Sequence, residues 1–132
     1  MTTPAHSIIA VVDDDQRILV SLGNLLESAD YAVRLFPSAT ALLESGCLAE
    51  IDCLVSDIGL PAVNGIELVR LVQIVRPGLP TIFITGHSDA LNRLPTIGLG
   101  QYCLFKKPFD GQEVLIAINS ALRGRRLLTT EG

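Results

Sequence analysis

The sequence predicts an α/β fold, a parallel β-sheet covered by helices on both faces. Three observations predict it. Short apolar runs rich in β-branched residues alternate along the chain with longer stretches whose apolar residues recur at helical spacing. The alternation repeats five times in 132 residues, a length that suits one domain with a proper core. Four of the runs lead directly into conspicuous polar residues: Asp13-Asp14-Asp15 after Ile8–Val12, Asp57 after Cys53–Ser56, Thr85 after Thr81–Ile84, and Lys107 shortly after Tyr102–Phe105. In an open parallel sheet the ligand crevice lies beyond the carboxyl ends of the strands, so these groups converge on one place.

Ile8–Val12 is the first strand, and Ile18, Leu22, Leu25, Leu26 and Ala29 follow at helical spacing on one face. Ala32–Phe36 is the second strand, ended by Pro37, with Ser38 placed to cap a helix carrying Leu42 and Leu43. Cys53–Ser56 is the third. Beyond a loop over 58–65, a helix carries a core stripe of Ile66, Val69 and Val72, flanked by Leu68 and Val75, until Pro77-Gly78 stops it. Thr81–Ile84 is the fourth strand. The loop Gly86-His87-Ser88-Asp89 leads to a fourth helix over Ala90–Gly100, which Pro95 and Gly98 shorten or break. After Tyr102–Phe105, the fifth strand, Asp110 and Glu113 supply a capping pattern for a fifth helix with Val114, Leu115, Ile118 and Leu122. Residues 8–123 are assigned to the domain, 1–7 to an N-terminal tail, and 124–132 to a C-terminal tail or the start of a linker.

A formal charge of -4 argues against a sequence-independent grip on nucleic acid, which needs a basic face to displace counterions, so no direct nucleic-acid binding is expected. The basic run Arg123-Gly124-Arg125-Arg126 complements the carboxyl end of the last helix. No stretch approaches the ~18 consecutive apolar residues of a membrane span, and the start lacks a signal peptide's basic flank; no membrane partner is expected, and the cytoplasm is the expected location. Cys47, Cys53 and Cys103 are odd in number and lack C-x-x-C spacing, which favours small buried hydrophobes over redox chemistry. His6 and His87 have no zinc-ligand spacing.

Asp13, Asp14 and Asp57 collected at one sheet edge repel one another, an arrangement stabilised by a divalent cation in the gap. Mg2+ is the expected cofactor, because it takes oxygen ligands and retains room for waters and phosphoryl oxygens. With charge neutralised, a carboxylate can attack phosphorus and form a mixed anhydride. Asp57, alone at its strand end, is the candidate nucleophile; Asp13 and Asp14 are candidate metal ligands. Thr85 offers a hydroxyl donor and Lys107 a positive charge for the transferred group.

From about Ile8 to Leu122 the chain resembles a receiver domain of the two-component response regulators. The resemblance rests on Val12-Asp13-Asp14, on Asp57-Ile58-Gly59-Leu60-Pro61 with Gly65 beyond it, on Thr85-Gly86-His87, and on Lys107-Pro108-Phe109. It implies a flavodoxin-like doubly wound sheet of order 2-1-3-4-5, with Asp57 as phosphoacceptor, Asp13 and Asp14 holding Mg2+, and the Gly59 backbone carbonyl as a further ligand. It also implies that Thr85 and Lys107 contact the phosphoryl group and that the Lys107-Pro108 peptide is cis. The implied partner is a histidine kinase or phosphotransfer protein, and a homodimer is implied through the fourth helix, fifth strand and fifth helix. The Thr85-Gly86-His87 and Phe105-to-Phe109 segments look most like receivers joined to a helix-turn-helix output domain that controls transcription. Leu104 stands where the family usually carries an aromatic residue, and Tyr102 lies two residues earlier.

The resemblance implies a phosphorylation switch that performs its own transfer and hydrolysis and is otherwise no enzyme. A degenerate receiver acting as a constitutive binding module is the alternative. A more distant one is an aspartyl-nucleophile phosphohydrolase, suggested by the Asp-x-Asp pattern in Asp13-Asp14-Asp15; Arg17 and the short chain count against it. Taken singly the residues also have plainer readings: Asp15 as a helix cap, Thr85 as a strand residue, Lys107 as a surface charge. His87, near the path of an attacking water, and Gly59 are expected to influence how long the phosphoryl group persists.

Overall fold

The computed structural model describes residues 7–57, 65–85, 102–107 and 109–131. Strands β1 (Ile8–Val12), β2 (Ala32–Phe36), β3 (Cys53–Asp57), β4 (Thr81–Thr85) and β5 (Tyr102–Lys106) form one sheet in the order β2-β1-β3-β4-β5. Every neighbouring pair is parallel. The helices among the described residues are α1 (Gln16–Ser28), α2 (Ala39–Ser45), α3 (Gly65–Val75) and α4 (Gly111–Glu131), with a 3-10 turn over Cys47–Ala49. α4 is the fifth helix of the sequence expectation and continues through 124–131. The expected fourth helix, with Pro95 and Gly98, lies outside the described residues.

Helices cover both faces, which is why the central strands read as unbroken apolar runs. Ala10, Val12, Leu54 and Phe83 pack with Ala39 and Leu42 of α2 and Val72 of α3. Their strand neighbours Ile9, Val11, Cys53, Val55, Ile82 and Ile84 pack instead with Leu19, Leu22 and Leu26 of α1 and Val114 and Ile118 of α4. The split between alternate residues is the pleat of each strand, and each Val, Leu, Ile or Phe side chain fully withdrawn from water contributes about 1.5–3 kcal/mol. Across the second layer the Tyr31 hydroxyl donates to Asn119 Oδ1, tying the end of α1 to α4.

Three details depart from the sequence expectation. α1 turns Leu19, Leu22, Gly23 and Leu26 inward, while Ile18 and Leu25 are half-buried and Ala29 is the C-cap rather than a helical core residue. Gly23 lies on this inward face: the Leu35 side chain closes over it, and its Cδ1 would stand 3.2 Å from a Cβ there. On α3, Val72 is buried but Val75, its last residue, is 57% exposed and leaves the expected stripe. Finally, β3, β4 and β5 each run one residue further than predicted, because the ladder pairs Asp57 with Ile84 and Thr85 with Lys106.

Candidate functional site

The register carries the polar residues to one edge. Val12 lies opposite Ser56, so Asp13 and Asp57 are the next residues on adjacent central strands; Asp57 is level with Ile84, and Thr85 with Lys106. By the pleat, Asp13, Asp57 and Lys107 share the parity of Val11, Val55 and Phe105, which belong to the layer of α1 and α4.

Local chemistry then fixes Asp13. Its backbone N–H donates to the Phe36 carbonyl at 3.1 Å, extending the sheet pairing one residue past β1. Its Oδ1 accepts the Asp15 N–H at 2.8 Å, an Asx turn that bends the chain toward α1. Asp15 repeats the device: its Oδ1 accepts the Arg17 N–H at 2.9 Å and caps α1. Asp15 is thus the helix cap that its plainer reading expected. Asp14, between them, is exposed.

Asp13 is fully buried and Asp57 nearly so. Lys107, one residue past β5, extends its ammonium to within 2.9 Å of Asp57 Oδ2 and 3.1 Å of Asp13 Oδ2. The latter atom is buried and accepts no hydrogen bond from the described residues despite that proximity; the ammonium lies 3.5 Å from Oδ1 of the same carboxylate. Carboxylate oxygens of Asp13, Asp14 and Asp57 lie within 4.8 Å of one another. With all three ionised and Lys107 protonated, the cluster carries a formal charge of minus two.

Burial pushes the Asp13 carboxyl above its ordinary range, and the charge of Asp57 adds to this; the Asp15 N–H and Lys107 pull the other way without cancelling it. For Lys107 burial alone would lower the ammonium's pKa, but its hydrogen bonds to Asp57 and then Asp13 outweigh burial and hold it above the usual lysine value. Asp13 is therefore reluctant to ionise, and Lys107 is the firmly charged partner that lets it.

Thr85 sits at the end of β4 beside Lys106, and for it the description extends to the backbone. Gly59, Pro61, His87 and the Lys107-Pro108 peptide bond lie outside the described residues. Leu104 and Tyr102 are in β5, their backbones alone described. Beside the cluster runs a groove of ≈ 670 Å³ between α1 and the segment leading into α4, lined by Arg17, Ile18, Leu22, Leu25, Lys107 and Phe109 among others. The sequence reading gave this groove no role; its signal was a cation, Arg17, in the first turn of a helix.

Comparison with known proteins agrees with this fold. Residues 9–119 match the family model of the response regulator receiver domain. The transcriptional regulatory protein FixJ of Bradyrhizobium diazoefficiens is 36% identical over 123 residues, which are 93% of this chain and 59% of FixJ. The response regulator protein TmoT of Ectopseudomonas mendocina is 35% identical over 118 residues, 89% of this chain and 54% of TmoT. The chain thus spans little more than half the length of these relatives. Among solved structures, a CheY-like receiver domain protein from Methanospirillum hungatei superposes with a TM-score of 0.84 at 28% identity, covering 97% of this chain and 100% of that one. The response regulator StyR superposes at 0.79 with 35% identity, covering 96% of this chain and 65% of StyR. The sheet order, the strand-end carboxylates and the span of the family match lead to one conclusion: the chain belongs to the response regulator receiver domain family.

Proposed function

We propose that Asp57 is the phosphoacceptor, that Asp13 and Asp14 hold Mg2+ beside it, and that Lys107 and Thr85 bind the transferred phosphoryl group. The observation that carries this reading is Lys107, whose ammonium bridges Asp57 and Asp13 at the carboxyl edge of the sheet.

The donor set fits a hard divalent cation: oxygen ligands only, a formal charge of minus two once Lys107 is counted, and a buried Asp13 Oδ2 that accepts no hydrogen bond from the described residues. Bound there, Mg2+ would offset the carboxylate charge and polarise the phosphoryl oxygens. The Gly59 carbonyl is the proposed further ligand. An Asp57 carboxylate oxygen attacks the donor phosphorus; its P–O bond forms as the donor's P–O or P–N bond breaks and the leaving group departs with the electron pair. Lys107 then transfers its hydrogen bond from Asp57 Oδ2 to a phosphoryl oxygen while keeping its contact with Asp13, and Thr85 donates its hydroxyl to another. Water later cleaves the mixed anhydride and releases phosphate, with His87 and Gly59 affecting the rate. The protein in this reading acts on itself and on no other substrate.

A histidine kinase or phosphotransfer protein is the proposed donor. The names of FixJ and the similar regulators point to transcription as the proposed output, through a partner domain, with a homodimer through residues 90–100, β5 and α4 as the proposed intermediate. Among the described residues no helix is long and apolar enough to cross a membrane, and the cytoplasm is the proposed location. The test is intact mass after incubation with acetyl phosphate, with and without Mg2+. A single phosphoryl adduct that requires Mg2+ and disappears in Asp57→Ala is the expected result; no adduct under any condition makes the domain a constitutive binding module.

A further inference from the structure

We propose that Arg17 is a positioning residue for the phosphoryl donor: its guanidinium, held on Asp15 at the lip of the groove, draws the anionic donor toward Asp57 and steadies its oxygens on arrival. The proposal rests on Asp57 as the phosphoacceptor and names a residue of the entry route.

Arg17 and Lys107 line the same groove, and Lys107 is hydrogen-bonded to Asp57, so the groove holds two cations, one of them on the reacting carboxylate. The guanidinium grips Asp15 with two prongs, Nε to Oδ1 and Nη2 to Oδ2, both 3.2 Å. That planar fork fits a phosphoryl group as well as a carboxylate. The Arg17 side chain is 91% exposed, and an exposed pair of this kind is screened by water and opens readily. Exchange of Asp15 for an incoming phosphoryl group therefore needs no rearrangement of the fold.

Helix energetics give no reason for a cation here. Arg17 is the second residue of α1, at the positive end of the helix dipole, where acidic residues are favoured; the first turn of α1 contains none. Capping by Asp15 uses the Arg17 backbone N–H, which any residue but proline supplies. A local preference broken for no more than an exposed ion pair with Asp15 points to a task at the site. That task follows from charge: the chain carries a formal charge of -4 and the donor is itself an anion, so a cation in the groove reduces the repulsion.

The experiment measures initial rates of adduct formation for wild type, Arg17→Gln and Arg17→Lys at fixed Mg2+, with acetyl phosphate or phosphoramidate as donor. At ~10 mM salt, where the screening length is about 30 Å, Arg17→Gln should react about three- to tenfold more slowly with acetyl phosphate. Near ~1 M salt, where that length falls to about 3 Å, the gap should close to under about twofold. Arg17→Lys, which keeps the charge and loses the planar fork, should recover part of the rate, and the monoanionic phosphoramidate should show a smaller loss than the dianionic acetyl phosphate. Equal rates for wild type and Arg17→Gln at low salt would overturn the proposal, as would a deficit unchanged by salt, which marks a structural effect. A wild-type protein that forms no adduct removes the phosphoacceptor reading and this proposal with it; a wild-type adduct with an unchanged Arg17→Gln rate removes only the role of Arg17.

Discussion

Lys107 and Asp57 are fifty positions apart, yet the ammonium of one lies 2.9 Å from the carboxylate of the other, with Asp13 on its far side at 3.1 Å. The lysine thus offsets part of the carboxylate charge when no metal is bound. Replacing it by Met leaves two buried carboxylates without their cation. The side chain retains 23% exposure, so the cost is discounted from that of a fully buried pair to about 1–3 kcal/mol. Urea unfolding of Lys107→Met should give that loss without Mg2+, and millimolar Mg2+ should recover part of it. A variant as stable as wild type in both conditions would remove Lys107 from the charge balance.

Asp13 gives a pH dependence of unusual sign. Its folded-state pKa is raised above the unfolded value, chiefly by burial, so the folded protein binds this proton more tightly. Its penalty is present at neutral pH, declines as pH falls through the raised pKa, and is gone below the ordinary aspartate value. Without Mg2+, Asp13→Asn should be the more stable protein at neutral pH, and its advantage should shrink on acidification toward the ordinary aspartate range. Denaturant titrations at stepped pH measure the difference. With Mg2+ present the order should reverse, because a ligand that binds only the folded state stabilises it and the variant lacks a ligand oxygen. An advantage that grows on acidification would contradict the burial argument.

Parallel strands announce themselves as apolar runs, and their ends fall at the first charged or hydroxyl residue; that is why Asp13, Asp57 and Lys107 could be assembled from sequence into one site. The helix rotations were less legible. Hydrophobic periodicity assigns Gly23 no weight, yet it is buried on the inward face with Leu19, Leu22 and Leu26, and Leu35 settles over it. Nor does a pattern of residue types say which way a long flexible side chain reaches. Lysine at a strand end read as a contact for an incoming group, whereas its pairing with both carboxylates depends on the strand order that places β5 within reach of β3 and β1.

Asp30 adopts φ 71°, the left-handed region, just past the end of α1. The Tyr31 N–H donates to the Leu26 carbonyl at 3.1 Å and the Asp30 N–H to the Glu27 carbonyl at 3.0 Å, the paired bonds of a Schellman cap. Tyr31 and Leu26 pack in the same core layer, which completes the motif. Glycine adopts this conformation without the steric cost that a Cβ imposes. Asp30→Gly should therefore raise stability by about 0.3–1 kcal/mol, and Asp30→Val should lower it by about 1 kcal/mol. Thermal melts of the two variants should move in opposite directions; a downward shift for Asp30→Gly would mean that its side chain, not its backbone, holds the turn.

Gly111 starts α4 where that helix meets α1, and a Cβ on it would stand 2.9 Å from Cδ2 of Leu25. The obstacle is the tip of a flexible side chain that lines the groove, so it can swing aside more cheaply than backbone could move. Gly111→Ala should cost about 1 kcal/mol or less, since alanine's better helix propensity offsets part of the crowding, whereas Gly111→Val should cost about 1–3 kcal/mol. Shortening the obstacle provides the check. In a double-mutant cycle Leu25→Ala should relieve most of the penalty of Gly111→Val, giving a coupling of about 1 kcal/mol or more between residues 86 positions apart. Strict additivity would mean that α4 shifts as a body to admit the larger residue, and the groove between α1 and α4 would then change its width as well.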